Sequence, residues 1–267
     1  MTTSPLAERL RSVGTGLLHW VTLPALLLAA WWTLSAGSTS AFFPPLADIV
    51  EAFPETWFEG RLVDEALPSL GRLLLGYIIA LVVGVALGLL VGLRPAVRAF
   101  CEPTLELLRA IPPPVMIPVL MLFLGIFSTM KVVIIATGCL WPILLNTIEG
   151  VRGVDDVLRD TSRTFRFGRM TFLRRVVLRG ASPQIFAGAR QSLSVGIILM
   201  VISEMFAATN GLGFTIVQFQ RTFALTQMWT GILLLGLLGV LLAALFMLVE
   251  RSALGWYDGL RRAEKER

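Results

Sequence analysis

VRGVDDVLRDTSRTFRFGRMTFLRRVVLRGASPQIFAGAR, residues 151–190, is the stretch around which this chain is read. It is long, polar and rich in arginine within a sequence that is otherwise strongly apolar. Nine of the chain's 23 Lys and Arg residues fall in it: Arg152, Arg159, Arg163, Arg166, Arg169, Arg174, Arg175, Arg179 and Arg190. Long apolar runs lie on both sides, so the stretch reads as a loop between membrane helices. Its charge assigns it to the cytoplasmic face, where loops beside spans collect Lys and Arg. At roughly 30 residues it is too long for a simple connector. Val154, Val157, Leu158 and Thr161, then Phe165, Phe172, Leu173 and Val176, recur at helical spacing. Two short amphipathic helices with a turn near Phe167 and Gly168 are expected. Such a unit on one face of a membrane bundle looks built to be grasped by another protein.

Composition supports the membrane reading. The 267 residues are 55% hydrophobic and 15% charged, with a mean hydropathy of +0.77, whereas a soluble domain carries roughly 25% charged residues. One helical bundle without a separate soluble domain is expected. The net charge of +5 sits beside predicted spans, so topology explains it and no nucleic-acid partner is expected. Cys101, Cys139 and His19 are too few for an ordinary zinc site, and the cysteines read as small packing residues. Met1 to Gly14 is polar and no signal-peptide cleavage site follows the first apolar run. No Ser-His or metal-ligand grouping suggests catalysis, so the chain is not read as an enzyme.

Six spans are expected, at about residues 15–34, 69–93, 111–127, 132–148, 185–207 and 228–249. His19 and Trp20 lie near one end of the first, and Trp31-Trp32 at the other end reads as an interfacial anchor. Residues 35–67 form an acidic outer segment, with an amphipathic helix at about 47–58. Gly84, Gly88 and Gly92 repeat at four-residue spacing, which lets a neighbouring helix approach closely. Ile111-Pro112-Pro113-Pro114 breaks the third span, either as a helix start signal or as a gate. With both termini inside, only Arg61, Lys131 and Arg221 are clearly outside and Arg72 sits at an outer helix end. The other 19 of 23 basic residues are then inside, which fixes the orientation. The fold class is all-α, a polytopic membrane bundle with cytoplasmic N and C termini.

At the central loop the sequence resembles the inner-membrane permease subunits of ABC importers, especially the branch for nitrate, sulfonate and taurine. That family's loop is patterned as Glu-Ala-Ala, three residues, Gly, nine residues, then Ile-x-Leu-Pro. Here the register gives Asp160-Thr161-Ser162, Arg166 in place of the glycine, and Val176-Val177-Leu178-Arg179 with Arg179 in place of the proline. Gly168, two positions on, is expected to serve the turn instead. Other motifs follow in order: Phe42 to Val50, Gly60-Arg61-Leu62 with Ser69, Arg72 and Gly76, Phe123-Leu124-Gly125-Ile126, Pro142-Ile143 with Asn146-Thr147 and Gly150. Ala181, Pro183, Ile185, Gly188 and Arg190, then Glu204 and Gly211-Leu212-Gly213, complete the set, and the likeness covers about Phe42 to Tyr257.

The resemblance implies a type I ABC importer permease fold in the plasma (inner) membrane. Residues 1–41 are then a cytoplasmic tail and first span, 42–260 the permease core with its coupling loop at about 151–183, and 261–267 a basic cytoplasmic tail. It implies docking of that loop on a separate ABC ATPase, with Asp156 to Phe167 as the contact helix. Asp156, Asp160, Thr161, Ser162, Arg163, Arg166, Phe167 and Gly168 are the coupling residues carried over. The sequence has no G-x-x-x-x-G-K-[ST] phosphate loop, so ATP is bound by the partner and this chain holds no cofactor or metal. An extracytoplasmic substrate-binding protein and a second permease copy are the other implied partners, and a small solute, often an anion, the implied cargo. Pro112, Asn146 and Glu204 are candidates for the translocation path or its gate, while Glu204 serves equally as a cap on the backbone near Asn210-Gly211. The alternative class is an ATP-independent secondary transporter or channel, which would be expected to bury coupling charges mid-span.

Overall fold

Uncharged runs of Leu, Val, Ile and Ala become long helices because only a helix satisfies its own backbone groups in hydrocarbon. The computed structural model of the chain describes residues 22–206 and 208–265. It contains α1 (Thr22–Ser35), α2 (Leu46–Trp57), α3 (Leu62–Leu93, opening with a π-type turn), α4 (Pro95–Arg109), α5 (Ile117–Leu124, entered through a 3-10 turn at Pro113–Met116), α6 (Ser128–Arg152), α7 (Asp156–Thr164), α8 (Arg169–Phe206), α9 (Leu212–Arg221) and α10 (Leu225–Lys265). Among the described residues there is no strand. The protein is an all-α membrane bundle.

α3, α6, α8 and α10 are each long and apolar enough to cross a bilayer, and α4 with α5, bent by 79°, makes a fifth candidate as a broken span. The expected first span at 15–34 is described only from Thr22, and the N-terminal tail with His19 and Trp20 lies outside the described residues.

α6 lies between α3 and α8 at the centre. Its Ile135, Ile143, Thr147 and Val151 meet Gly76, Gly84, Gly88 and Gly92 of α3 in turn. Each of these pairs is separated by the same 59 positions, so α3 and α6 run parallel with their backbones close. Two helices can run parallel only if the chain between them returns, which α4 and α5 do. On the other side α8 runs antiparallel to α6: Gly150 faces Ala181, Asn146 faces Gly188, Cys139 faces Gly196. The core of Leu73, Ile134, Ile135, Cys139, Ile143 and Leu199 fills the space between the three.

One expectation is corrected. The second short helix of the polar stretch is not separate, because Arg169 opens a helix that continues to Phe206. Pro183 does not end it: the Arg179 carbonyl, which has no N–H from Pro183 to accept, accepts the Ser182 hydroxyl at 2.8 Å. The expected break at the prolines of the third span is sharp: the eight residues of α5, entered through a 3-10 turn, bend by 79° from α4. Between the fifth and sixth expected spans stands a further helix, α9, that no sequence pattern announced. Beyond the expected sixth span, α10 continues as helix to Lys265.

Candidate functional site

Most of the residues singled out by sequence gather at the two ends of the bundle. At one end α7 begins on Asp155, whose Oδ1 accepts the Val157 amide at 2.8 Å, with Asp156 in the first turn where the helix dipole favours an acid. Val154 is buried against Gly180 of α8, and Arg159 Nη2 donates to the Val151 carbonyl of α6 at 2.6 Å. A nine-residue helix does not persist alone in water, so these attachments hold it. Ser162 turns inward, bonded to the Arg159 carbonyl. Asp156, Asp160, Thr161, Arg163, Arg166, Phe167 and Gly168 all face outward. Asp160 and Arg163 pair at 3.0 Å in the open, a contact that contributes little. Beside them Val157, Leu158, Phe165, Phe167 and Met170 are exposed. An apolar patch inside a charged rim, carried on a fastened helix, has the composition of a protein-docking surface.

The turn that ends α7 is strained. Arg166 has φ 51°, with its amide donating to Arg163 O at 3.0 Å and the Phe167 amide to Ser162 O at 2.9 Å. This is the closing turn in which glycine is the usual left-handed residue. Gly168 does not relieve it, contrary to the sequence expectation, since its φ of −61° and ψ of 151° are extended. Arg166→Gly is therefore expected to stabilise the end of α7 by about 1 kcal/mol, the cost of holding an L residue in this conformation. Slower amide exchange across 156–167 would show it. Unchanged exchange would mean that the turn carries no strain.

At the opposite end Glu204 of α8 is 1% exposed. Its carboxylate accepts from Ser69 Oγ at 2.8 Å, from Arg72 Nη1 at 2.6 Å and from the Gly213 amide at 3.1 Å. Arg72 in turn donates to Ser128 Oγ of α6 at 3.1 Å, and to the carbonyl and side-chain oxygens of Asn210. The Leu212 amide donates to Ser69 Oγ at 2.9 Å and the Gly211 amide to Glu65. Gly211 has φ +122°, and a Cβ there would stand 2.4 Å from the Glu204 Cδ, so both conformation and space require glycine. The knot joins α3, α6, α8 and α9, and the contacts of Glu204 are those of a cap on the 210–213 segment. Two opposite charges near the same end of otherwise apolar spans are the sequence signal for such a pair. Arg72, Ser69 and Asn210 were not singled out as site residues.

Pro112 lies exposed in the break between α4 and α5, with φ −63° and ψ 124°. Asn146 is half-buried on α6 beside Gly188, its Nδ2 donating to Pro142 O at 2.8 Å. Neither bonds to the other or to Glu204. Among the described residues no His, Cys, Asp and Glu cluster suits a metal ion.

The sequence profile of the family described as "Binding-protein-dependent transport system inner membrane component" matches residues 70–254. The chain is 29% identical over 249 residues to the putative aliphatic sulfonates transport permease protein SsuC of Bacillus subtilis, covering 91% of this chain and 90% of that one. It is 30% identical over 240 residues to the taurine transport system permease protein TauC of Escherichia coli, covering 87% of each. The nitrate import permease protein NrtB of Leptolyngbya laminosa is 26% identical over 247 residues, 88% of this chain and 85% of that one. In fold, the chain is similar to a chain of the MetNI methionine ABC transporter in an inward-facing conformation, with a TM-score of 0.61 and 21% identity over 73% of this chain and 97% of that one.

Proposed function

The chain belongs to the binding-protein-dependent transport system inner membrane component family, and from that membership we propose that it is the permease subunit of an ATP-driven importer for a small anion. Sulfonates, taurine and nitrate define the substrate class, after the relatives that bear those names. The observation that carries the reading is α7, a capped, fastened helix that holds an apolar patch and a charged rim away from the bundle. In this reading α7 docks on a separate ABC ATPase at the cytoplasmic face. Closure of paired ATPases then shifts the bundle between two conformations. ATP is bound and hydrolysed on that partner, and this chain holds no cofactor. An extracytoplasmic binding protein delivers the solute to the α9 end, and two copies of the chain enclose one path. Both termini are cytoplasmic, with six spans, the first of them ending in α1.

The test is recovery of the ATPase with tagged protein from membranes in mild detergent. Wild type is expected to retain an ABC-type ATPase. Asp160→Lys with Arg163→Glu, which reverses the rim of α7, is expected to recover at least about tenfold less, since 1.4 kcal/mol of lost affinity is enough. Absence of any ATPase from folded wild type, in cells that express the candidate ATPases, would remove the importer reading.

A further inference from the structure

Within a bilayer an exposed side chain faces lipid, water or protein, and its chemistry says which. Along α3 from Leu74 to Leu90, and along α10 from Ile232 to Val249, every exposed side chain is apolar. α8 is different. Its exposed positions include Gln184, Ala187, Gln191, Ser194, Ile198 and Met205, whose spacings of three, four and seven place them in one stripe. The other faces of α8 are occupied. Gly188 and Ser192 lie against α6, Ala189 and Gly196 against α3, and Phe186 and Arg190 against α10.

Among the described residues Gln184, Gln191 and Ser194 have no side-chain hydrogen-bond partner, whereas Arg190 beside them is paired with Glu250. Gln191 and Ser194 precede Glu204 by 13 and 10 residues, roughly 20 and 15 Å along the helix. They therefore lie deep within the span rather than at its edge. Lipid would leave their donors and acceptors unsatisfied.

We infer that this stripe of α8 is a wall of the water-filled translocation path, and that the Gln184 and Gln191 carboxamides and the Ser194 hydroxyl receive a small oxyanion there. Amide N–H and hydroxyl O–H groups donate to anionic oxygen without a fixed positive charge. Binding to such groups is weak enough for the solute to leave, which conduction requires. Asn146 borders the stripe, since a Cβ on Gly188 would stand 2.7 Å from its own Cβ. The choice of an oxyanion rests on the importer reading above, while the water contact does not.

The experiment uses full-length protein in permeabilised membranes, with Cys101→Ser and Cys139→Ala as background. Single cysteines replace Gln191, Ser194 and, as a lipid-facing control, Val240, which is 71% exposed on α10. Each is treated with a charged, membrane-impermeant methanethiosulfonate, which reacts with the hydrated thiolate. Gln191→Cys and Ser194→Cys are expected to label on the order of tenfold faster than Val240→Cys, and taurine, an alkanesulfonate or nitrate is expected to slow them. Labelling no faster than the control overturns the inference. So does oxidative cross-linking of Gln191→Cys to itself without labelling, which would give the stripe to a second copy. Labelling that none of the three anions slows overturns the oxyanion assignment. No ATPase takes part, so these results are distinguishable from failure of the docking test.

Discussion

Arg72→Met is expected to lower the stability of the folded bundle by about 3–5 kcal/mol, the usual loss when one partner of a buried ion pair is removed. The reason is Glu204. It is 1% exposed, and without the guanidinium it keeps only Ser69 Oγ and the Gly213 amide against the cost of burial. Arg72 also fastens Ser128 and Asn210, so the same change loosens α6 and the segment before α9. Arg72→Met combined with Glu204→Leu should lose much less than the sum of the single changes, because no charge is then left alone. Detergent-induced unfolding of the four proteins measures this directly. Equal losses from the double variant and from the two singles added together would mean that the pair is not coupled.

That end of the molecule also shows what the sequence could and could not reveal. The apolar runs of α3, α6 and α10 are legible because a membrane imposes one length and one composition. α7 is legible through Val154, Val157, Leu158 and Thr161, which recur at helical spacing, whereas its Asp155 cap is seen only in the structure. The join of the polar stretch to α8 is not legible: Pro183 and three arginines resemble a loop, yet Ser182 satisfies the carbonyl that proline leaves free. α9 was hidden by its own start, because Asn210-Gly211-Leu212-Gly213 reads as a turn until Glu204 is seen to need glycine against it. The break before α5 was visible as three prolines, but its angle depends on how α4 packs, which no local pattern carries. Glu204 remained divided between two roles for the same reason. Its partners come from α3 and from the segment preceding α9, far away in sequence.

Gly88→Leu is expected to be as damaging at the interface that holds the centre together. A Cβ at Gly88 would lie 2.5 Å from the Thr147 Cβ and 3.1 Å from the Leu144 carbonyl, neither of which is a flexible chain end. α3 and α6 would have to separate, and Gly84 and Gly92 would lose their close approach to Ile143 and Val151 with them. A loss of about 3 kcal/mol or more is expected, at the upper end for overpacking because backbone and not a side chain must move. Gly236→Leu on α10 is the matched control: nothing stands within 4 Å of a Cβ there, and the position is exposed. Leucine is a better helix former than glycine and is at home in lipid, so this variant should unfold no earlier than wild type. Similar losses at both positions would mean that glycine acts through the helix alone. A large loss confined to Gly88 would show that the parallel register of α3 and α6 is fixed by contact. Those two helices would then move together when the bundle changes conformation, leaving the bent pair α4 and α5 and the polar face of α8 as the surfaces free to rearrange.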